Sequence, residues 1–144
     1  MDFSLQLSDT ADGTLREAIV APLIAYNASR AGASGYLALT VAIHDEAGAA
    51  IGGLWGGTSR GWLFTELLLV PEALPGRGVG REVMALAEAE AERRGCTGAW
   101  LDTFEFQARG FYERIGYTCF GELPKHPDNF ARYFMQKSLG GATP

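Results

Sequence analysis

An α/β fold with a mixed, largely antiparallel sheet follows from three features of this 144-residue chain. Strand-like runs between residues 36 and 70 are joined by short polar turns, as antiparallel hairpins require. The apolar run Leu67-Leu68-Leu69-Val70 enters a glycine-spaced turn that opens a long Ala- and Glu-rich helix. Three further strand patterns follow that helix, one before and two after a short helix.

Phe3, Leu5 and Leu7 alternate with polar residues and predict a short first strand. Asp9 or Thr10 can cap the helix that follows, where Leu15, Ile19, Leu23 and Tyr26 mark one face, and Pro22 is expected to kink or split it. Tyr36 to His44 reads as a strand, turned at Asp45-Glu46-Ala47-Gly48 into a second from Ala50 to Gly56, which Gly52, Gly53 and Gly56 loosen. Trp62 to Val70 is a third. From Val79 to Arg94 the pattern is helical. Val83, Leu86, Ala87 and Ala91 share its inner face, Glu82, Glu88, Glu92 and Arg93 lie outside, Glu90 and Arg94 pair, and Gly95 is the stop. Ala99 to Thr103 is a strand and Gln107 to Ile115 a short helix ended by Gly116. Tyr117 to Leu123 and Ala131 to Lys137 are the closing strands, and residues 140–144 read as a disordered tail.

The bulk composition narrows the function. A single domain spanning residues 1–144 can bury a substantial core. With 47% hydrophobic and 20% charged residues it has the balance of a soluble protein, and a net charge of -5 without a basic stripe argues against a nucleic-acid binder. No apolar run approaches the roughly 20 residues of a membrane helix, and the N-terminus lacks a secretory pattern. Cys96 and Cys119 have no metal-ligand spacing, so no metal site is expected, and they read as free thiols of a cytoplasmic protein.

The turn from Gly76 to Arg81 carries the chemistry. Gly76, Gly78 and Gly80 leave no side chain above the backbone, the helix starting at Val79 presents unpaired N–H groups there, and Arg77 and Arg81 add positive charge. This composition suits a diphosphate. The turn lacks the Lys-Ser/Thr of a nucleotide P-loop.

Two motifs resemble the GNAT superfamily of acyl-CoA-dependent N-acyltransferases. The pattern Gln/Arg-x-x-Gly-x-Gly/Ala falls on Pro75-x-x-Gly78-x-Gly80, with Pro75 replacing the usual head residue. Ala108-Arg109-Gly110-Phe111-Tyr112-Glu113-Arg114-Ile115-Gly116-Tyr117 is similar to the family's Ala-x-x-Phe-Tyr-x-x-x-Gly-Phe/Tyr segment. The element order matches from about Phe3 to Leu139, and local phrasing resembles a small bacterial branch.

The resemblance implies acetyl-CoA as acyl donor, held at its diphosphate by Gly76, Arg77, Gly78, Val79, Gly80 and Arg81. Its pantetheine arm would pair with Leu68, Leu69 and Val70. Glu105 stands where many members carry an Asn that touches that arm. Tyr112 is the expected general acid, since a phenol can protonate a departing thiolate. Glu66, a carboxylate inside an apolar strand, is the candidate base, with Asp102 and His44 as alternatives. Tyr26, Asn27, Trp55, Trp62 and Phe104 are candidates for holding a small amine acceptor. A silent acyl-CoA-binding module and a protein N-acetyltransferase are the rival readings, and the resemblance allows a homodimer.

Overall fold

The computed structural model describes residues 1–74 and 78–141, so the predicted contacts of Gly76 and Arg77 and the end of the predicted tail lie outside the described residues. The chain forms two compact units, Met1–Ser34 and Gly35–Pro144.

The first unit is one helix, α1 (Gly13–Ala31). Its cap is Asp12 rather than Asp9 or Thr10: the Asp12 carboxylate accepts from the Thr14 N–H at 2.8 Å, whereas the Thr10 N–H is held by Ser8 Oγ. Pro22 does not split it. Proline removes one N–H from the ladder, and the flanking turns of a 19-residue helix carry it through. Residues 3–7 form no strand, because alternation marks a face but a ladder needs a neighbouring strand to supply its hydrogen bonds.

The second unit holds a six-stranded sheet in the order β1 (Leu37–His44), β2 (Ala50–Ser59), β3 (Trp62–Leu69), β4 (Gly98–Phe104), β6 (Arg132–Ser138), β5 (Thr118–Leu123). Only β3 and β4 run parallel, with α2 (Val79–Arg93) as their crossover; every other pair is antiparallel. The helix α3 (Arg109–Arg114) follows β4. At the β1–β2 turn Asp45 Oδ1 accepts from the N–H groups of Ala47 and Ala49, both at 2.9 Å, which explains the tight reversal after His44. Among the described residues no helix is long and apolar enough to cross a membrane.

The core packs α2 onto the sheet through Val83, Met84, Ala87 and Ala91 against Leu63, Ala99, Leu101 and Met135. At 100° per residue these four helix positions centre on one direction, from which Leu86 points about 115° away and Glu88 about 85°. Leu86 is therefore exposed and Glu88 buried, the reverse of the sequence expectation. Gly95 does end the helix: its N–H reaches Glu92 O, and the Cys96 N–H reaches Ala91 O, a Schellman closure. Glu90 pairs with Arg94 as expected and also with Arg93; Arg93 first, then Arg94, lowers its carboxyl to about 2.

Glu88 is tolerated inside because both its oxygens are occupied. Lys137 Nζ donates to Oε1 at 2.7 Å and the Tyr117 hydroxyl to Oε2 at 2.9 Å. Removing Lys137 leaves that carboxylate half-satisfied. Lys137→Met is expected to cost about 3 kcal/mol, lowering Tm by roughly 10 °C, and Glu88→Leu in the same chain to restore most of it. Thermal unfolding checks this, and an unshifted Tm for Lys137→Met would remove the pair from the stability of the fold. Burial and the Glu88 charge also hold the Tyr117 phenol far above its usual range. The raised value means this contribution is intact below the unfolded phenol value, near pH 10, and is lost as pH rises beyond it.

Candidate active site

β3 and β4 pair only from Trp62↔Gly98 to Thr65↔Leu101. Past that point they separate, and the cause is local. Trp55 faces Leu67 while Gly56 faces Thr65, so Glu66 is an extra residue without a cross-strand partner. Such a bulge bends and twists its strand. β4 stays with β6 through Asp102↔Phe134, Thr103↔Tyr133 and Phe104↔Arg132, and β3 leaves it. Gly56 makes the bulge feasible, because a Cβ there would press on the Phe64 carbonyl oxygen. The bulge also shifts the strand's phase. Leu67 and Leu69 are exposed and Leu68 and Val70 half-buried, so the apolar run is not the fully buried strand its composition suggests.

The gap is a cleft of about 970 Å³, walled by Thr65–Leu69 of β3 with Val70 just beyond it, Leu101–Phe104 of β4, the first turn of α2 and the Phe111–Tyr112 side of α3. Leu68, Leu69, Val70, Gly78, Val79, Gly80 and Arg81 all line it. The first N–H groups of α2 have no carbonyl within the helix and lie at the mouth. The two described glycines of the turn have different reasons to be glycine. Gly78 caps the helix at φ +68 with open space around it, a conformation that side chains disfavour. Gly80 has ordinary φ, but an added Cβ would meet the Phe111 ring at 3.2 Å and Val70 at 3.4 Å.

Tyr112 lines the cleft and is 7% exposed, with its ring edge-on to Phe111 and Tyr117. Its hydroxyl has no hydrogen-bond partner among the described residues. Burial first, then the charge of Asp102, pushes the phenol above its ordinary value. Glu66 lines the same cleft and is exposed. Asp102 is engaged by Arg132, whose Nε donates to Oδ1 at 2.8 Å. His44 sits at the far end of β1, outside the cleft.

The remaining sequence candidates divide. Phe104 lines the cleft, stacked on Phe106 at 5.3 Å. Glu105 lies outside it in the β4–α3 turn, with Lys125 Nζ 3.5 Å from Oε1. Trp55 is exposed beside Leu67, and Trp62 covers Gly98 at the opposite end of β3; neither lines the cleft. Tyr26 and Asn27 belong to α1 in the first unit. Thr65, Thr103 and Gln107, absent from the sequence candidates, also stand on the cleft wall. Gln107 Oε1 accepts the Phe104 N–H at 2.8 Å and pins the end of β4. A polar residue directly before Glu66 in an apolar strand was the available signal for Thr65. Nothing in the pattern marks Gln107, whose partners are the Phe104 N–H and the Thr103 hydroxyl.

Residues 9–117 match the acetyltransferase (GNAT) family. An acetyltransferase of Agrobacterium fabrum (strain C58) is 46% identical over 117 residues, 81% of this chain and 85% of that protein. Blasticidin-S acetyltransferase of Streptomyces morookaense is 39% identical over 95 residues, 65% of this chain and 70% of its own length. The crystal structure of an acetyltransferase from Bacillus cereus superposes with a TM-score of 0.80 at 27% identity, over 93% of this chain and 98% of that one.

Proposed function

The chain belongs to the acetyltransferase (GNAT) family, and from that premise we propose that it moves an acetyl group from acetyl-CoA directly to a primary amine of a small molecule. One observation carries the reading: the unpaired edge of β3 leads from the open N-terminus of α2 to an unpartnered Tyr112 within a single cleft. The N–H groups of Gly78, Val79, Gly80 and Arg81, with the Arg81 guanidinium, hold the diphosphate. The free backbone edge at Leu68, Leu69 and Val70 pairs with the amides of the pantetheine arm, as an added strand would. A main-chain N–H of that edge polarises the thioester carbonyl.

Glu66 takes a proton from the acceptor ammonium, directly or through water. The freed nitrogen attacks the carbonyl carbon, the C–N bond forms, and the C–S bond breaks with its electron pair on sulfur. Tyr112 protonates that thiolate and is reprotonated from solvent, Glu66 passes its proton to solvent, and the nitrogen's second proton leaves to solvent, giving amide, free CoA and one net proton. The exposed Glu66 carboxylate favours a cationic acceptor at the mouth. Free thiols at Cys96 and Cys119 suit the cytoplasmic setting we propose.

The test is thiol release from acetyl-CoA with a panel of amines, begun with blasticidin S because a relative acts under that name, and with peptides carrying free N-termini and lysines. Calorimetric titration with acetyl-CoA, ATP and NAD runs beside it. Micromolar binding of acetyl-CoA alone, with thiol release on a small amine, is expected. Binding without release on any amine would replace the enzyme reading with a binding module, and release only on peptides would make the acceptor a protein.

A further inference from the structure

Three threonines of the second unit are buried in the sheet: Thr58 on β2, and Thr65 and Thr103 on β3 and β4, the strands that part at the cleft. Two have partners. Thr58 Oγ1 accepts from Arg94 at 3.1 Å, and Thr103 Oγ1 lies 3.4 Å from Gln107 Oε1 and 3.5 Å from the Ala108 N–H. Thr65, 5% exposed, has a buried Oγ1 with no hydrogen-bond partner among the described residues. A buried hydroxyl left idle opposes folding, and valine has nearly the same shape without it. Thr65 also occupies the last paired position before β3 and β4 separate, so it stands at the closed end of the cleft.

We propose that Thr65 Oγ1 donates a hydrogen bond to the thioester carbonyl of the acyl donor and ends the acyl site. The proposal rests on acetyl-CoA occupying the cleft. The neighbouring wall is formed by Leu101, 1% exposed, and Tyr112, 7% exposed, so what reaches this end is small and neutral. A carbonyl meets that description, and a charged ammonium does not. The ammonium stays with the exposed Glu66 at the next position. A carbonyl oxygen has two lone pairs, so the O–H of Thr65 and a main-chain N–H of β3 can share it. As negative charge gathers on that oxygen during attack, both bonds strengthen, and Thr65 thereby contributes to rate as well as affinity. The paired backbone at Thr65↔Leu101 blocks a longer chain, which makes the site selective for short acyl groups.

Thr65→Val, Thr65→Ala and Thr65→Ser are titrated with acetyl-CoA and with CoA, and assayed on an acceptor. In Thr65→Val the unliganded protein is expected to melt at or above the wild-type temperature. Its CoA affinity should stay within about twofold, its acetyl-CoA affinity fall roughly fivefold to tenfold, and its kcat fall at least about tenfold. Thr65→Ala removes the same hydroxyl and should show the same loss of preference for acetyl-CoA over CoA. Thr65→Ser keeps the hydroxyl and should restore it. Wild-type preference and turnover in both Thr65→Val and Thr65→Ala would overturn the assignment while leaving the cleft as the CoA site. Failure of the wild-type protein to bind either CoA or acetyl-CoA would overturn the cleft reading itself.

Discussion

Tyr112→Phe is expected to lower kcat at least about tenfold, and up to about a hundredfold, with the Kd for acetyl-CoA nearly unchanged. The ring fills its place between Phe111 and Tyr117 by edge contacts that phenylalanine reproduces, so the change removes one hydroxyl and little packing. That hydroxyl has no hydrogen-bond partner among the described residues to orphan, and the variant should melt close to wild type. The pH profile separates an acid from a packing residue. Burial and Asp102 raise the phenol, so it stays protonated through the neutral range and its alkaline limb in kcat lies beyond the ordinary phenol range. The variant should lose that limb. Wild-type turnover with the same limb would remove Tyr112 from the mechanism.

Gly80→Val is expected to weaken acetyl-CoA binding by about a hundredfold or more. The first added carbon already presses on the Phe111 ring and Val70, and the γ-methyl groups have no room. Either Phe111 is pushed into the cleft beside Tyr112, or the first turn of α2 moves and its N–H groups lose their common aim. Overpacking of this kind costs about 1–3 kcal/mol of stability, so a melting curve must accompany the titration. Gly78→Ala isolates the other requirement. It meets open space but must hold φ +68, a strain of roughly 1–2 kcal/mol, and should weaken binding only about fivefold to tenfold. A folded Gly80→Val protein that binds acetyl-CoA at wild-type affinity would refute the placement of the diphosphate.

Both predictions rest on residues legible from the one-dimensional pattern, because each belongs to a local signal. A glycine spaced before a helix and a Phe-Tyr pair inside a short helix depend on neighbours within a few residues. Glu66 was legible as a carboxylate out of place in an apolar strand. Thr65 needed more. Its burial, its idle hydroxyl and its place at the end of the ladder follow from where β4 stops pairing with β3, and that pairing joins residues about 36 apart in the chain.

The sequence by itself determined the order of elements from the first helix to the last strand, the antiparallel hairpins and the strand–turn–helix of the cleft. These follow from turn chemistry, caps and hydrophobic period, which act over a few residues. Tertiary structure alone decided four matters. Residues 3–7 form no strand, since a ladder needs a partner. Glu88 went inside and Leu86 outside, because the phase of α2 against the sheet is set by Val83, Met84, Ala87 and Ala91 together and because Lys137 and Tyr117, distant in the chain, arrive to pair with and hydrogen-bond the carboxylate. The bulge at Glu66 opened the sheet, a consequence of how β2 and β3 register. Which polar groups of the cleft were already satisfied, and which were left free to meet a ligand, was decided the same way: hydrogen bonds form between groups the fold brings together, whatever their distance along the chain.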